Sequence, residues 1–346
     1  MPQECLTPEG RLWEQEPGLH DPSPARLEEA RIRETPLEAI ATKCDEERTL
    51  HLRLGEERGF IPREECALGA DTGQVREIAI LSRVGKPVRF VPVKRTEQGW
   101  LCSRRRVQED ALLTIKARLE PGDVIPFRVT HLERFGAFVD IGAGIVSMVG
   151  LETISVSRIQ SAAQRFVPGQ DGFAVVTGVD RVRGRVFLSH RELLGTWEEN
   201  AACFSPGTAV PGVIRGVEPY GVFVELAPNL SGLAEPMAGV WPGMRASVYI
   251  KSILPQRMKI KLNLLDARAG DGTRLIRPED YRITAGRLRR WRYGPEDCPR
   301  AGGESDFSPH KIFDFAGTPN RGISAEMQFG TALQADAISR GNHVSP

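Results

Sequence analysis

The sequence predicts an all-β chain of three small barrels in tandem, joined by short helical connectors and flanked by a poorly ordered leader and tail. Three observations predict it. Between residues 36 and 266 the apolar runs are short and bounded by Gly, Pro and charged turns, the texture of short barrel strands. Two blocks can be laid on one another. GDVIPFRVTHLERFGAFVDIG and GTAVPGVIRGVEPYGVFVELA both open on Gly-x-x-x-Pro and continue as aromatic-Gly-Ala/Val-Phe-Val-acid-aliphatic, an internal repeat with the period of one small domain. The blocks are separated by stretches whose apolar residues recur at helical spacing.

Composition agrees and narrows the function classes. The chain has 346 residues, enough for two or three domains, and only 7% aromatics, which suits several small cores better than one large one. A formal net charge of +1 excludes a general polyanion binder, so nucleic-acid binding would have to rest on local basic clusters and stacking side chains. The six cysteines form no C-x-x-C pair and the six histidines are scattered, so neither a zinc site nor a redox motif is visible; free thiols in a reducing compartment are expected. The N-terminal stretch is acidic with no apolar run, and no segment approaches a membrane span. Cytoplasmic placement without a membrane partner follows as an expectation.

Each segment is justified in turn. Residues 1–35 are rich in Pro, Gly and Glu and read as a flexible leader, with a short helix over Pro24–Arg33. Residues 36–106 carry LEAIATKC, TLHLRLG, GFIP, PVRFVPVK and WLCSRR, the strands of a first barrel. Residues 107–120 form a helical connector. Val107, Ala111, Ile115 and Leu119 recur every four residues, and Pro121-Gly122 stops the helix. Residues 121–190 hold VIPFRVTHL, GAFVDIG, SMVGL, GFAVVTGVD and RVFLSH, a second barrel. Residues 191–205 are a second connector with Leu193, Leu194 and Trp197 on its apolar side, and residues 206–266 repeat the barrel pattern. Residues 267–346 are a tail that begins basic and aromatic and then loses any reliable period.

The repeated heptapeptide carries the chemistry. Alternate residues of a strand face opposite ways. Ala137, Val139 and Ile141 share one apolar side, which leaves Phe138 with Asp140; in the other repeat Val222, Val224 and Leu226 face in and Phe223 lies with Glu225. Each barrel thus offers a Phe on its polar, solvent-facing side, as a stacking platform for nucleobases requires. Strict alternation would point Phe135 and Tyr220 inward, but a bulge at Gly136 and Gly221 would bring them to the outer face; the alternative is that they cap the barrel.

These segments resemble the S-one RNA-binding domain, a five-stranded barrel of the OB type. In that family an aromatic-Gly-x-Phe motif is followed by Gly-Leu-Val-His-x-Ser and, near the last strand, by an Asp and a basic residue within Val-Asp-x-x-x-Arg-x-x-Leu-Ser. The resemblance covers residues 36–266. In the second block it implies RNA-binding roles for Phe135 and Phe138, and for Asp180 and Arg185 within VDRVRGRVFLS; the family His position falls on Gly150. In the third block it implies Tyr220 and Phe223, with Lys259 or Lys261 as the basic position; Glu235 stands where the His would be and the Asp is missing. The first block is degenerate. Pro62 replaces the His, and Arg48 and His51 occupy the aromatic positions, so a structural or protein-contact role is expected there.

The resemblance extends to short, clostridial-type homologues of ribosomal protein S-one, and implies single-stranded RNA, specifically mRNA, and the small ribosomal subunit as partners in translation. Two alternatives stay open: a ribosome-docking module with weak RNA binding, and an RNA-gripping accessory of a ribonuclease or transcription complex. Basic clusters support nucleic-acid contact: Arg104–Arg106, then Arg181, Arg183 and Arg185, then Arg287, Arg289, Arg290 and Arg292 around Trp291 and Tyr293, which would add stacking surface. No Walker loop and no G-x-S-x-G elbow occur, and Ser189-His190 would point to opposite faces of a strand. Neither an enzyme, nor a cofactor, nor a small-molecule substrate is expected.

Overall fold

The computed structural model describes residues 6–15, 21–295, 298 and 303–308. They contain three closed five-stranded barrels with one strand order, first-second-third-fifth-fourth. The first barrel comprises β1 (Leu37–Cys44), β2 (Leu50–Leu54), β3 (Glu57–Ile61), β4 (Pro87–Thr96) and β5 (Gly99–Ser103). The second comprises β6 (Val124–Glu133), β7 (Gly136–Asp140), β8 (Val146–Gly150), β9 (Asp171–Asp180) and β10 (Arg185–Ser189). The third comprises β11 (Ala209–Glu218), β12 (Gly221–Ala227), β13 (Leu230–Ala234), β14 (Arg245–Leu254) and β15 (Lys259–Arg268). In each barrel the third and fifth strands pair in parallel to close the sheet, while the other pairings are antiparallel. This is the OB-type arrangement.

Alternation builds the cores. Leu50, Leu52 and Leu54 enter the first barrel, Ala137 and Val139 the second, and Val222 and Val224 the third. The helix over Arg105–Arg118 buries Val107, Ala111 and Ile115, and its buried Gln108 joins two barrels by accepting from the Leu68 amide at 2.8 Å and donating to the Ala143 carbonyl at 3.0 Å. The second connector is a 3-10 turn over Arg191–Leu194 and a short helix, Trp197–Ala201, opened by a Thr196–Glu199 capping box. Its Trp197 packs into the third core.

The two ends differ from expectation. Within the leader, Leu6 joins the second core, Trp13 packs against the first, and Glu9 is buried in an ion pair with Arg104. The helix Pro24–Arg33, N-capped by Ser23, buries Leu27 in the first core. Residues 6–15 are therefore a strap across two barrels. The tail is a second strap: Ile276 joins the second core, while Trp291 and Tyr293 join the third, with the Tyr293 hydroxyl donating to the Asn229 carbonyl at 2.6 Å. The expected stacking role of Trp291 and Tyr293 fails for this reason: both rings are consumed by packing. Of the surrounding arginines, Arg287 pairs with Asp123 at 2.6 Å and Arg290 with Glu304 at 2.5 Å. The part of the tail beyond residue 308, expected to lack order, lies outside the described residues.

Candidate nucleic-acid interface

The turn before β7 places Phe135 on the outer surface, 41% exposed, and β7 sets Phe138 half-buried beside it. The two rings meet edge to face at 6.0 Å. In the third barrel Tyr220, 66% exposed, and Phe223 repeat the arrangement at 6.2 Å and 90°.

The route by which Phe135 and Tyr220 reach the surface differs from the sequence expectation. No bulge lies at Gly136 or Gly221. Both aromatics sit in the hairpin turn, and the register shift falls on the opposite strand, between Val129 and His131 and between Ile214 and Gly216. The glycines are needed for close approach: a Cβ on Gly136 would stand 2.4 Å from the Val149 carbonyl oxygen, and one on Gly221 2.6 Å from that of Ala234.

Cross-strand register extends the platform beyond the residues expected from sequence. In the second barrel His131, Phe138, Met148 and Phe187 lie side by side across β6, β7, β8 and β10. His131 stacks on Phe138 at 4.3 Å and 9°, and burial keeps its pKa below the ordinary imidazole range. Phe187 is 43% exposed. The third barrel's row is Gly216, Phe223, Leu233 and Lys261. His131, Met148 and Phe187 were missed because only strand pairing brings them to Phe138; the alternation of RVFLS, with Val186 and Leu188 facing in, was the available signal for Phe187.

The polar candidates divide. Arg185, Lys259 and Lys261 are exposed, and none forms an ion pair among the described residues. Lys261 lies in the Phe223 row, and Arg185 is on β10 on the same side as Phe187. Asp180 instead accepts the amides of Val182 at 3.1 Å and Arg183 at 3.0 Å, closing the β9–β10 turn; the Arg183 amide, with the guanidinium beside it, holds its carboxyl below the usual range. Arg181 donates to the carbonyls of Lys116 and Leu119. Glu235, at the third barrel's missing His position, is exposed and pairs with Lys251 at 3.2 Å.

The acids of the repeat depart most from expectation. Asp140 and Glu225 were placed with the phenylalanines on the solvent side, yet both are buried. They do lie on the outer face of their strands, but neighbouring modules cover that part of the face. In the first barrel the corresponding surface carries a His51–Asp45 hydrogen bond at 2.8 Å and an Arg48–Glu77 ion pair at 2.8 Å in place of an aromatic pair. Ser189 and His190 are both buried and do not pair: Ser189 donates to Glu192, while His190 reaches the Ile154 carbonyl at 2.6 Å and the Tyr281 hydroxyl at 2.9 Å. Among the described residues no cluster of His, Cys, Asp and Glu could hold a metal, and no helix is long and apolar enough to cross a membrane.

Comparison with known proteins finds one family of relatives. Residues 118–191 match the S1 RNA binding domain family. The chain is similar to small ribosomal subunit protein bS1 of Leuconostoc lactis, 27% identical over 243 residues that cover 62% of this chain and 55% of that protein. It is 30% identical to bS1 of Streptococcus pneumoniae over 181 residues, 51% of this chain and 44% of that one. The bS1 homolog of Bacillus subtilis is 32% identical over 148 residues, 41% of this chain and 38% of its own length. The chain spans about half the length of the curated relatives it matches. Residues 118–191 thus match the S1 RNA binding domain family, and the chain is similar to bS1 ribosomal proteins over part of its length.

Proposed function

We propose that this chain binds single-stranded RNA along the outer faces of its second and third barrels and acts on mRNA at the small ribosomal subunit, in the cytosol and without catalysis. The observation that carries the reading is the pair of edge-to-face aromatics in each of two barrels, Phe135 with Phe138 and Tyr220 with Phe223, on barrels whose Arg185, Lys259 and Lys261 form no ion pair among the described residues. Every base has a π-face, so stacking gives a grip that tolerates sequence, while Arg185, Lys259 and Lys261 contact phosphates. Asp180 serves by shaping the hairpin that presents Arg185. A chain that captures transient single strands shifts RNA hairpins toward melting without ATP. The polar face of the first barrel, with an Arg48–Glu77 ion pair and a His51–Asp45 hydrogen bond where an aromatic pair would stand, favours a docking or structural role for that module.

Fluorescence anisotropy with a labelled unstructured oligoribonucleotide, titrated at several salt concentrations, tests the reading. The Phe138→Ala, Phe223→Ala double variant should lose about 2–6 kcal/mol of binding, at ~1–3 kcal/mol per base, and keep most of its salt slope. Unchanged affinity would mean that the aromatic faces do not hold RNA and would favour docking on the ribosome through protein contacts.

A further inference from the structure

We propose that the acid two residues beyond each platform phenylalanine, Asp140 in the second barrel and Glu225 in the third, is a latch that docks the platform strand onto the module before it, so that the aromatic faces stand in fixed relation and grip RNA as one rigid array. The latch is a property of the free chain. Only its consequence for RNA rests on the function proposed above.

Strand parity puts Phe and acid on the same outer face, about 7 Å apart. One end of that face is open to solvent and the other is sealed. On a lone barrel an outward carboxylate would be hydrated, and burying it costs several kcal/mol unless partners replace the water. Here each acid has partners in its own barrel and at least one from another module. Glu225 accepts from Arg165 Nη2 of the second barrel at 2.6 Å and from its own Arg215 Nε at 2.6 Å, and Arg274 of the C-terminal strap stands 3.9 Å away. Both Arg165 and Glu225 are fully buried. Asp140 accepts the amides of Gly142 at 2.8 Å and Gly144 at 3.0 Å within its own barrel, and that of Glu9 in the N-terminal strap at 2.8 Å. The Glu9 carboxylate in turn takes Arg104 in a two-pronged contact at 2.6 and 2.8 Å and the Arg89 amide at 3.1 Å, both from the first barrel.

The joints are tightly fitted around these charges. Across the second joint Ser157 Oγ meets Ser231 Oγ at 3.0 Å, and the Val156 amide donates to Asn229 Oδ1 at 2.9 Å. At the first joint a Cβ on Gly144 would fall 1.9 Å from Arg104 Nη2. A buried ion pair contributes more to register than to net stability, but removing one partner strands the other, and opening the joint then returns the stranded guanidinium to water. Neutralising the acid should therefore open the joint while leaving the barrel core untouched. A rigid span also raises the effective concentration of the second platform for a strand already held by the first, which a loose tether does less well.

Glu225→Gln in the full chain tests this with small-angle X-ray scattering and with two unstructured oligoribonucleotides, one long enough for a single barrel and one spanning two. The variant should show a larger radius of gyration, bind the short oligonucleotide within about twofold of the parent chain, and bind the long one about tenfold more weakly. Adding Ser157→Cys and Ser231→Cys and oxidising the pair should restore compactness and long-strand affinity together. If Glu225→Gln leaves the chain unfolded by circular dichroism, Ser157→Phe, which wedges the joint from the second-barrel side where Ser157 Oγ meets Ser231 Oγ, carries the same expectations. Scattering that superposes on the parent's, or equal losses for both oligonucleotides, would overturn the latch. Failure of the parent chain to bind either RNA would defeat the function proposed above and leave the scattering and cross-linking to decide the latch alone.

Discussion

Phe187 illustrates how single side chains acquire roles here. Its neighbours Val186 and Leu188 fill the core, which turns Phe187 outward next to Met148 and, one strand further, Phe138. Phe187→Ala should weaken RNA binding by ~1–2 kcal/mol in the anisotropy assay without moving the unfolding midpoint, since the ring is a surface group and contributes chiefly through stacking. His190 has the opposite character. Burial pushes its pKa down to about 4, and it is held between the Ile154 carbonyl and the Tyr281 hydroxyl. An unfolded imidazole titrates near 6.5, so between about pH 6.5 and pH 4 the unfolded chain holds a proton that the folded chain lacks. This contribution is fully present above about pH 6.5 and is lost as pH falls toward 4, on the order of 3 kcal/mol at most. Urea midpoints at pH 7.5 and pH 5 should differ less for His190→Gln than for the parent chain.

At the scale of elements, each platform depends on a hairpin whose turn carries one aromatic and whose second strand carries the other. Gly136 makes that hairpin possible by letting β8 approach: the Val149 carbonyl leaves no room for a Cβ. Gly136→Ala should cost ~2 kcal/mol or more, read by urea denaturation, and should weaken RNA binding through displacement of Phe135 and Phe138. Gly178, directly opposite Phe187, has more space, its nearest contact for a Cβ being that ring at 3.6 Å, so Gly178→Ala should be tolerated in the same assay. The repeat itself was visible as spacing because inward Val and outward Phe alternate along one strand. Its bulge was not, because the extra residue falls on β6 and β11, whose own alternation gives no sign of where the partner strand slips.

For the whole molecule, two straps convert three barrels into one packed unit over residues 6–308. Each core borrows residues from outside its own barrel: Leu6 and Ile276 in the second, Trp197, Trp291 and Tyr293 in the third. Scanning calorimetry should therefore show the second and third barrels melting in a single transition. A chain ended after Arg268, the last residue of β15, should lose that cooperativity and expose the apolar surface that Trp291 and Tyr293 cover, detectable as dye binding. The straps also explain why RLRRWRYGPEDC misled. Its alternation of basic and aromatic residues is what a stacking surface and a buried strand have in common, and only the packing of Trp291 and Tyr293 into the third core decides between them.

By itself the sequence determined what is local and periodic: the barrel strands, the helical connectors, the repeated aromatic-Gly-x-Phe motif and the faces on which Phe138 and Phe223 lie. These follow from alternation within a strand and helical periodicity, which any short window of the chain displays. Tertiary structure decided the rest. It joined His131, Met148 and Phe187 to Phe138 through strand pairing, drew Trp291 and Tyr293 inward, and buried Asp140 and Glu225 against arginines and amides remote in the chain. The reason is that a strand dictates which way a side chain points, whereas solvent exposure depends on what other segments arrive to cover that direction, and a carboxylate facing outward reads the same in sequence whether water or a guanidinium meets it.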